Sequence, residues 1–395
     1  MRGVILVIDS LGIGAAPDAE AYGDGGANTL RSVCMSAAAG ALVPWPNLLE
    51  LGIGNCAALV GDPVPGCPPA PAPRASFGAM AEKSAGKDTT TGHWELAGIV
   101  LERGFTVFPP HHPSFPAELV RRFEAESGVT MLGNKAASGT VIIEELGEEQ
   151  MRGGRVICYT SADSVFQIAA HEAAVPLEDL YRICRVARTI CNDYGVARVI
   201  ARPFTGTPGA FTRTAGRRDF SIDLPGPSIL DRLVDGGVET VGIGKIGDIF
   251  NRQGLMVNHP DKGNPDCLRR LVEVLSVPAA ADQLIFVNLI DTDMVYGHRR
   301  DPDGYCRAVA EIDDCLPRIH TVLGPDDFLI ITADHGCDPG FDGSDHTREY
   351  VPLLFHRPAR PGLRLGVRDS FCDVAATVAA CFSVDFECGT SLLSA

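Results

Sequence analysis

The stretch FLIITADHG, residues 328–336, predicts the fold class of this chain. Its apolar run is followed at once by an aspartate and a histidine. An unbroken run of this kind is typical of a strand that is buried on both faces, as in a parallel sheet covered by helices. Similar runs that end in polar residues recur along the chain: GVILVIDS (3–10), RVICYTSADS (155–164), ARVIARPF (197–204), TVGIGK (240–245) and LIFVNLIDTD (284–293).

Helix-like segments lie between these runs. The segment PLEDLYRICRVARTICNDYG (176–195) begins with Pro176 and ends with Gly195, as helices often do. Its apolar residues follow helical spacing, and they are Leu180, Ile183, Cys184, Ala187, Ile190 and Cys191. A second amphipathic segment (302–324) contains Pro317, where we predict a kink or a break. The alternation of buried strands and helices predicts an α/β protein.

Composition excludes several classes of protein. The formal charge of −16 argues against a nucleic-acid partner, because phosphate neutralisation needs clustered Lys and Arg. Small phosphorylated substrates stay compatible with this charge, since bound divalent cations invert the local field. No apolar run approaches the ~18 residues of a membrane span, and the run before Asp9 is too short for a signal-peptide core. We therefore expect a cytoplasmic protein without membrane contact, whose 13 cysteines are free thiols.

Four aspartates follow the predicted strands directly: Asp9, Asp163, Asp293 and Asp334. In open parallel sheets, ligands bind beyond the carboxyl ends of the strands. An aspartate after a strand is also a common helix cap or turn residue. Each aspartate alone is thus compatible with either role, whereas four at such positions indicate a site.

Two dense clusters of acids and histidines indicate a metal site. The first is DTDMVYGHRRD (291–301), with Asp291, Asp293 and His298. The second is TADHGCDPGFDGSDH (332–346), with Asp334, His335, Asp338, Asp342, Asp345 and His346. Carboxylate and imidazole together suit Zn²⁺ or Mn²⁺, and histidine is a poor ligand for Ca²⁺. An inert, solvated acidic loop is the alternative, which we favour only for FDGSD (341–345) taken alone.

Two glycine-containing motifs point to nucleotides only weakly. GIGKIG (242–247) matches the dinucleotide fingerprint, but that motif requires a helix directly afterwards, and none is predicted in the next sixteen residues. AGKDT (85–89) fails as a phosphate-binding loop. That motif requires a glycine at position 81, which is Ala81, and a serine or threonine after Lys87, where Asp88 stands. An NAD-binding oxidoreductase is therefore a distant alternative.

Several long motifs resemble those of one family. They are VIDSLGIGAAPDA (7–19), GKDTTTGHWE (86–95), GNKAASGT (133–140), YTSADSVFQIAAHE (159–172), VIARPF (199–204), FTRT (211–214), IGKIGDIF (243–250), DTDMVYGHRRDP (291–302) and TADHGCDPGFDGSDHTREYVPLL (332–354). The chain resembles the bacterial phosphopentomutases of the alkaline-phosphatase-like metalloenzyme superfamily over essentially its full length. The resemblance implies a discontinuous catalytic core (1–103 and 219–395), with a mostly parallel sheet flanked by helices. It also implies a smaller inserted α/β cap (104–218).

The resemblance further implies a site with two Mn²⁺ ions. Asp9, Asp334 and His335 would hold one ion together with the Thr89 oxygen, and Asp293, His298 and His346 would hold the other. Asp293 has the family's spacing to His298, which leaves Asp291 as a helper or a turn residue. Thr89 matches the family's phosphorylated nucleophile. Thr90 and Thr91 are then expected to stabilise the turn.

The implied activity interconverts ribose 1-phosphate and ribose 5-phosphate, and their 2-deoxy analogues, through a phosphothreonine and a 1,5-bisphosphate. A sugar bisphosphate would act as primer. Candidates for binding the pentose phosphate are Ser161, Asp163, Arg202 and Lys245. The alternatives on the same core are a metal-dependent phosphatase and another phosphosugar or phosphoglycerate mutase. The complete set of ligands argues against a non-catalytic binding protein.

Overall fold

The computed structural model describes residues 1–161 and 164–394. Its strands are β1 (Arg2–Ile8), β2 (Ser76–Met80), β3 (Thr130–Ala136), β4 (Arg155–Thr160), β5 (Val165–His171), β6 (Arg198–Thr205), β7 (Thr212–Arg213), β8 (Arg218–Ser221), β9 (Glu239–Ile243), β10 (Val257–His259), β11 (Gln283–Leu289), β12 (Phe328–Thr332), β13 (Val351–His356) and β14 (Arg364–Arg368). Its α-helices are α1 (Thr29–Cys34), α2 (Pro46–Leu51), α3 (Ile53–Ala57), α4 (Thr89–Leu96), α5 (Ala117–Ser127), α6 (Gly139–Gln150), α7 (Leu177–Asn192), α8 (Ile229–Asp235), α9 (Ile246–Ile249), α10 (Asn264–Ser276), α11 (Pro302–Val322) and α12 (Cys372–Phe382). The predicted α/β class is confirmed.

The chain forms two compact units, of which the larger combines residues 1–103 with the chain from 224 onward. Its eight-stranded sheet has the order β10-β9-β11-β1-β12-β13-β2-β14. The five strands from β10 to β12 are mutually parallel, and β13 alone runs against its two neighbours. The predicted runs of β1, β11 and β12 are almost fully buried, as expected for strands covered on both faces.

The smaller unit, Gly104–Asp223, contains a second sheet with the order β3-β4-β5-β6-β7, in which β8 also pairs with β6. Successive residues of β4 point to opposite faces. Val156 packs with α5 and α7 on one face, and Ile157 packs with α6 on the other. This unit is therefore a three-layer α/β structure. The domain boundaries remain a prediction, and the one between 218 and 219 falls inside β8.

Helix α7 confirms the pattern expected from its sequence, because its buried residues are the six predicted ones. Helix α11, in contrast, runs unbroken through Pro317. A proline has no N–H to donate to the carbonyl four residues earlier. Here the Asp313 carbonyl accepts a hydrogen bond from the Asn47 side chain at 3.2 Å. Because this side chain replaces the missing helical donor, the predicted break does not occur.

Two histidines that pack together, His356 buried and His320 half-buried, are expected to make the stability of the larger unit sensitive to acid. His320 of α11 and His356 of β13 lie edge to face at 4.7 Å. Burial, followed by the charges of His356 and Arg74, lowers the pKa of His320 from 6.5 to about 4. Burial also lowers the pKa of His356. Both rings are thus held uncharged in the folded protein at a pH where the unfolded chain takes up protons.

We expect the free energy of unfolding to fall as the pH drops from 6.5 towards 4. A depressed folded-state pKa gives stability that is complete above the unfolded pKa and is lost below it. His320→Phe keeps the ring packing and removes one of the two groups. Urea unfolding at pH 7 and pH 5 should show a pH-dependent loss that is smaller by ~1 kcal/mol in this variant. The exposed His111, changed to Gln, is the control, and an equal loss in all three proteins would contradict the assignment.

In the described part of the chain, no helix has both the length and the apolar composition that a membrane span requires. The 13 cysteines are free, and 11 of them are buried.

Candidate metal centre and active site

The parallel strands of the larger unit bring the predicted side chains to one edge of the sheet. Strands β9, β11, β1 and β12 are consecutive neighbours. The residues that follow their carboxyl ends are Lys245, Asp293, Asp9 and Asp334. This is the edge where open parallel sheets bind ligands. Sheet order, rather than sequence distance, decides which of these residues meet.

The first group comprises Asp9, Asp334 and His335, whose ligand atoms all lie within 4.8 Å of one another. His335 Nε2 is 3.5 Å from Asp9 Oδ1 and 3.3 Å from Asp334 Oδ2. On the other side of the ring, Nδ1 lies 3.0 Å from the Gly336 carbonyl oxygen. Because a carbonyl only accepts, Nδ1 carries the proton and the lone pair of Nε2 faces the carboxylates. This is the orientation that a metal-ligating histidine adopts.

The second group comprises Asp293, His298 and His346. Asp293 Oδ1 is 3.4 Å from His346 Nε2, and Oδ2 is 3.4 Å from His298 Nε2. The two Nε2 atoms are 3.1 Å apart. Asp293 and His298 are five residues apart, which places them on different faces of an α-helix. The backbone from Thr292 to Gly297 is instead a π-helical turn, and the His298 N–H donates to the Asp293 carbonyl at 3.1 Å.

The two groups adjoin each other. The ring centroids of His335 and His346 are 4.0 Å apart. The ligand atoms of Asp293, His335 and His346 also lie within 4.8 Å of one another. Cys337 is a further neighbour, since its sulfur is near enough to Asp293 and His298 to complete a third group. Burial raises the pKa of Cys337 to about 11. A protonated thiol is a poor metal ligand, so His346 is the better third member.

Unpaired carboxylate oxygens indicate that these groups fit a cation. Within the described residues, Asp9 Oδ1, Asp293 Oδ1 and Asp334 Oδ2 are buried and receive no well-aligned hydrogen bond, although an imidazole nitrogen lies 3.0 to 3.5 Å from each of them. Burial, with the nearby charges of Asp334 and Asp293, raises the pKa of Asp9 well above its usual range. Burial also disfavours charge on Asp334, but His335 and His93 outweigh it and lower that pKa. Crowded buried carboxylates need a positive partner, and the carboxylate–imidazole set suits Zn²⁺ or Mn²⁺.

Thr89 is the first residue of α4 and is 8% exposed. Its Oγ1 lies 3.2 Å from His335 Nε2, so its hydroxyl reaches the first group. Asp88 caps the helix by accepting from the Thr90 and Thr91 N–H groups, and the Thr91 hydroxyl donates to Asp88 at 2.5 Å. A side chain that accepts these N–H groups fixes the helix start. The cap thereby sets the position of the Thr89 hydroxyl.

Lys87 and Arg348 hold the loop before Thr89. Lys87 forms ion pairs with Asp24 at 3.0 Å and with Asp345 at 3.6 Å. Arg348, which the sequence analysis did not single out, lies 2.6 Å from Glu82 Oε2, and both side chains are 2% exposed. Arg348 also donates to the Ser84 and Gly86 carbonyls. The motif HTRE (346–349) does not indicate which residues its buried arginine contacts, because these partners lie some 260 residues earlier in the chain.

We expect Arg348→Met to destabilise the protein by roughly 3–5 kcal/mol, because it leaves the buried Glu82 carboxylate without its partner. Burial already raises the pKa of Glu82 well above its usual range despite Arg348. The double variant with Glu82→Gln should recover most of this loss. Urea unfolding measures all three proteins. The exposed pair formed by Arg121 and Glu118 supplies the control Arg121→Met, and an equal effect there would contradict the prediction.

The candidate substrate-binding residues lie in both units. In the larger unit, Lys245 follows β9 and is half-buried, and its charge acts on Asp9. In the smaller unit, Ser161 follows β4, and Arg202 on β6 donates to Gln167 at 3.1 Å. Asp163 lies outside the described residues. Burial, followed by the charge of Arg217, lowers the pKa of Arg202.

Two open alternatives from the sequence are decided by the local structure. Helix α9 begins inside GIGKIG and is only four residues long, so the dinucleotide motif lacks the following helix that binds a pyrophosphate. Asp291 accepts a hydrogen bond from the Asn264 N–H at 2.8 Å, and Asn264 in turn accepts from the Asp291 N–H. Asp291 therefore stabilises the start of α10.

A mostly parallel α/β sheet with buried acids and histidines at its carboxyl edge defines the class of metal-dependent enzymes, and the family model of the metalloenzyme superfamily matches residues 1–386. A phosphopentomutase from Anaeromyxobacter dehalogenans is 53% identical, with 100% of this chain and 98% of the relative covered. One from Caldanaerobacter subterraneus is 49% identical, with 99% and 97% covered. A solved phosphoglycerate mutase of Leishmania mexicana is 12% identical, with a TM-score of 0.47 over 99% of this chain and 97% of that one. This chain belongs to the phosphopentomutase family.

Proposed function

We propose that this protein is a phosphopentomutase, an isomerase that interconverts ribose 1-phosphate and ribose 5-phosphate and their 2-deoxy analogues. The observation that carries the proposal is the position of the Thr89 hydroxyl, at the start of α4 and 3.2 Å from His335 Nε2. A hydroxyl held beside a group of buried carboxylates and imidazoles is suited to accept a phosphoryl group. The full-length identity to the phosphopentomutase relatives supports the pentose substrate.

The reaction proceeds through two phosphoryl transfers. In the first, the 5-hydroxyl oxygen of ribose 1-phosphate bonds to the phosphorus of phospho-Thr89, and the bond to Thr89 Oγ1 breaks. The hydroxyl proton is released, and the products are ribose 1,5-bisphosphate and the Thr89 oxygen. In the second, Thr89 Oγ1 bonds to the phosphorus at C1, and the departing anomeric oxygen takes up a proton. Phospho-Thr89 is regenerated, so no proton or phosphate is consumed.

The residues of the larger unit divide between holding ions and placing the reacting oxygen. Asp9, Asp334, His335 and the Thr89 oxygen would hold one Mn²⁺, and Asp293, His298 and His346 would hold the other. When bound, two such ions stabilise the attacking and leaving oxygens of an in-line displacement. Asp88, through its cap of α4, fixes the direction from which Thr89 Oγ1 meets the phosphorus.

The non-reacting phosphate and the sugar hydroxyls need their own partners. Lys245 and Arg202 are our candidates for the phosphate, since a guanidinium matches phosphate oxygens with paired donors. Arg202 stands among arginines: Arg217 and Arg213 both act on it electrostatically. Asp219 offsets part of this repulsion, because it pairs with Arg217 at 2.9 Å, and the remaining excess of positive charge favours an anionic ligand. Ser161 and Asp163 are the candidates for the hydroxyls.

A ³¹P NMR assay tests the proposed function. Ribose 1-phosphate is incubated with the protein, Mn²⁺ and a trace of ribose 1,5-bisphosphate as primer, and the reaction is quenched with a chelator. We expect ribose 5-phosphate as the main product, and slower conversion without primer. Inorganic phosphate as the main product would instead make this protein a phosphatase on the same core. No conversion by protein that has bound Mn²⁺ would overturn the pentose substrate.

A further inference from the structure

Helix α4 carries a second buried polar residue, one turn after the nucleophile. His93 is fully buried, and its ring stacks on Phe286 at 5.8 Å. Position 93 is four residues after Thr89, so the two share one face of the helix. His93 Nδ1 lies 2.9 Å from the Thr89 carbonyl oxygen and 3.0 Å from Asp334 Oδ2. One imidazole thus contacts both the nucleophile's backbone and a candidate metal ligand.

Asn288 determines which nitrogen of His93 carries the proton. The Asn288 amide nitrogen donates to Asp9 Oδ2 at 2.7 Å and lies 3.2 Å from His93 Nε2. The Thr89 carbonyl beside Nδ1 only accepts, so Nδ1 must carry the proton, and the amide must present its nitrogen to Nε2. Since an amide nitrogen only donates, His93 Nε2 accepts. The proton is therefore on Nδ1, where it points to the Thr89 carbonyl and presents a positive edge to Asp334.

These contacts form a continuous chain from Asp9 through Asn288 and His93 to Asp334 and Thr89. It joins two of the residues that fit one ion to the residue that would receive the phosphoryl group. The backbone of α4 also packs closely against the residues that follow β12, because a Cβ on Gly92 would clash with the Asp334 carbonyl oxygen. An apolar residue at position 93 would fill the same space but would offer no hydrogen-bond donor to the Thr89 carbonyl or to Asp334.

We propose that His93 is a positioning residue, which orients Asp334 and the Thr89 backbone so that the metal ligands and the reacting hydroxyl stay aligned. The expected effect of His93 on turnover rests on the proposed function, whereas its expected effect on metal binding does not. Hydrogen-bonding partners behind metal ligands fix ligand orientation, and their loss typically lowers affinity or activity by about 10–100-fold.

Three substitutions separate positioning from packing. His93→Asn places an amide nitrogen near the position of Nδ1, His93→Gln reaches only the position of Nε2, and His93→Phe keeps the ring and removes both polar contacts. The buried His356, changed to Phe, is the matched control. Mn²⁺ affinity is measured by calorimetry on chelator-treated protein, and kcat and KM are measured for ribose 1-phosphate with primer.

We expect His93→Phe and His93→Gln to lower kcat and Mn²⁺ affinity by about 10–100-fold each with little change in KM, whereas His93→Asn stays close to wild type. If His93→Phe fails to fold, the comparison of Asn with Gln decides. Equal kcat and equal Mn²⁺ affinity for Asn and Gln would overturn the inference and make His93 a packing residue. A wild-type protein without mutase activity would refute the proposed function alone, because the Mn²⁺ titration still reports on His93.

Discussion

Thr89→Val is expected to abolish interconversion of the pentose phosphates, with a loss in kcat of roughly 10⁴-fold or more, the scale on which removal of a nucleophile acts. Valine has nearly the same shape as threonine, and the helix start stays capped by Asp88. The variant should therefore fold and still bind Mn²⁺, with a lower affinity at the group of Asp9, Asp334 and His335 because the Thr89 oxygen is lost. Intact-mass spectrometry after incubation with ribose 1,5-bisphosphate should show a phosphorylated wild-type protein and an unmodified variant.

The adjacent Thr90 provides the matched control for this experiment. Its N–H donates to Asp88, but its side chain is half-buried and outside the acid–histidine groups. Thr90→Val should keep kcat within about threefold of wild type, as expected for a residue that does not stabilise the transition state. A fully active Thr89→Val protein would exclude the phosphothreonine route, whatever its substrate.

Asp9→Asn should have opposite effects on activity and on the stability of the metal-free protein. Removal of a proposed metal ligand should lower kcat by at least about 100-fold, since even groups behind metal ligands matter by about 10–100-fold. The metal-free protein should become more stable by ~1 kcal/mol or more, because the substitution removes a buried carboxylate that Asp334 and Asp293 crowd. Asparagine can keep its carbonyl towards the Asn288 donor that now contacts Asp9 Oδ2.

Thermal unfolding with chelator and with excess Mn²⁺ measures both effects in Asp9→Asn. The wild-type protein should gain stability when Mn²⁺ is added, by mass action, and the variant should gain much less. The exposed Asp342, changed to Asn, is the control and should behave as wild type in every measurement. A lower stability of metal-free Asp9→Asn would contradict the view that the acids repel one another.

The features that depend on local pattern could be predicted from the sequence. The buried stripe of α7 follows from helical spacing, and the position of Asp9, Asp293 and Asp334 after buried strands follows from their unbroken apolar runs. The convergence of these residues required only the rule that parallel strands end at one edge. The roles that we assign to them as ligands remain a proposal, which the geometry supports.

Features that depend on distant partners could not be predicted. Pro317 indicates a break by itself, and only the side chain of Asn47, far away in the sequence, explains why the helix continues. The five-residue spacing of Asp293 and His298 brings them together only because the intervening turn is π-helical. Arg348 and His93 look like ordinary members of their motifs. Their partners become visible only when the sheet order is known.

The central position of β1 has a consequence for how the protein is made. Gly3 of β1 pairs with Leu284 of β11 on one side and with Phe328 of β12 on the other. Both neighbouring strands are synthesised long after β1, so this apolar strand has neither of its two sheet partners during most of translation. Pairing over such long separations slows folding and exposes hydrophobic edges to aggregation. Asp9 can approach Asp334 only after β1 has paired with β12, so the proposed metal site can form only in a newly made chain that has completed this part of its core.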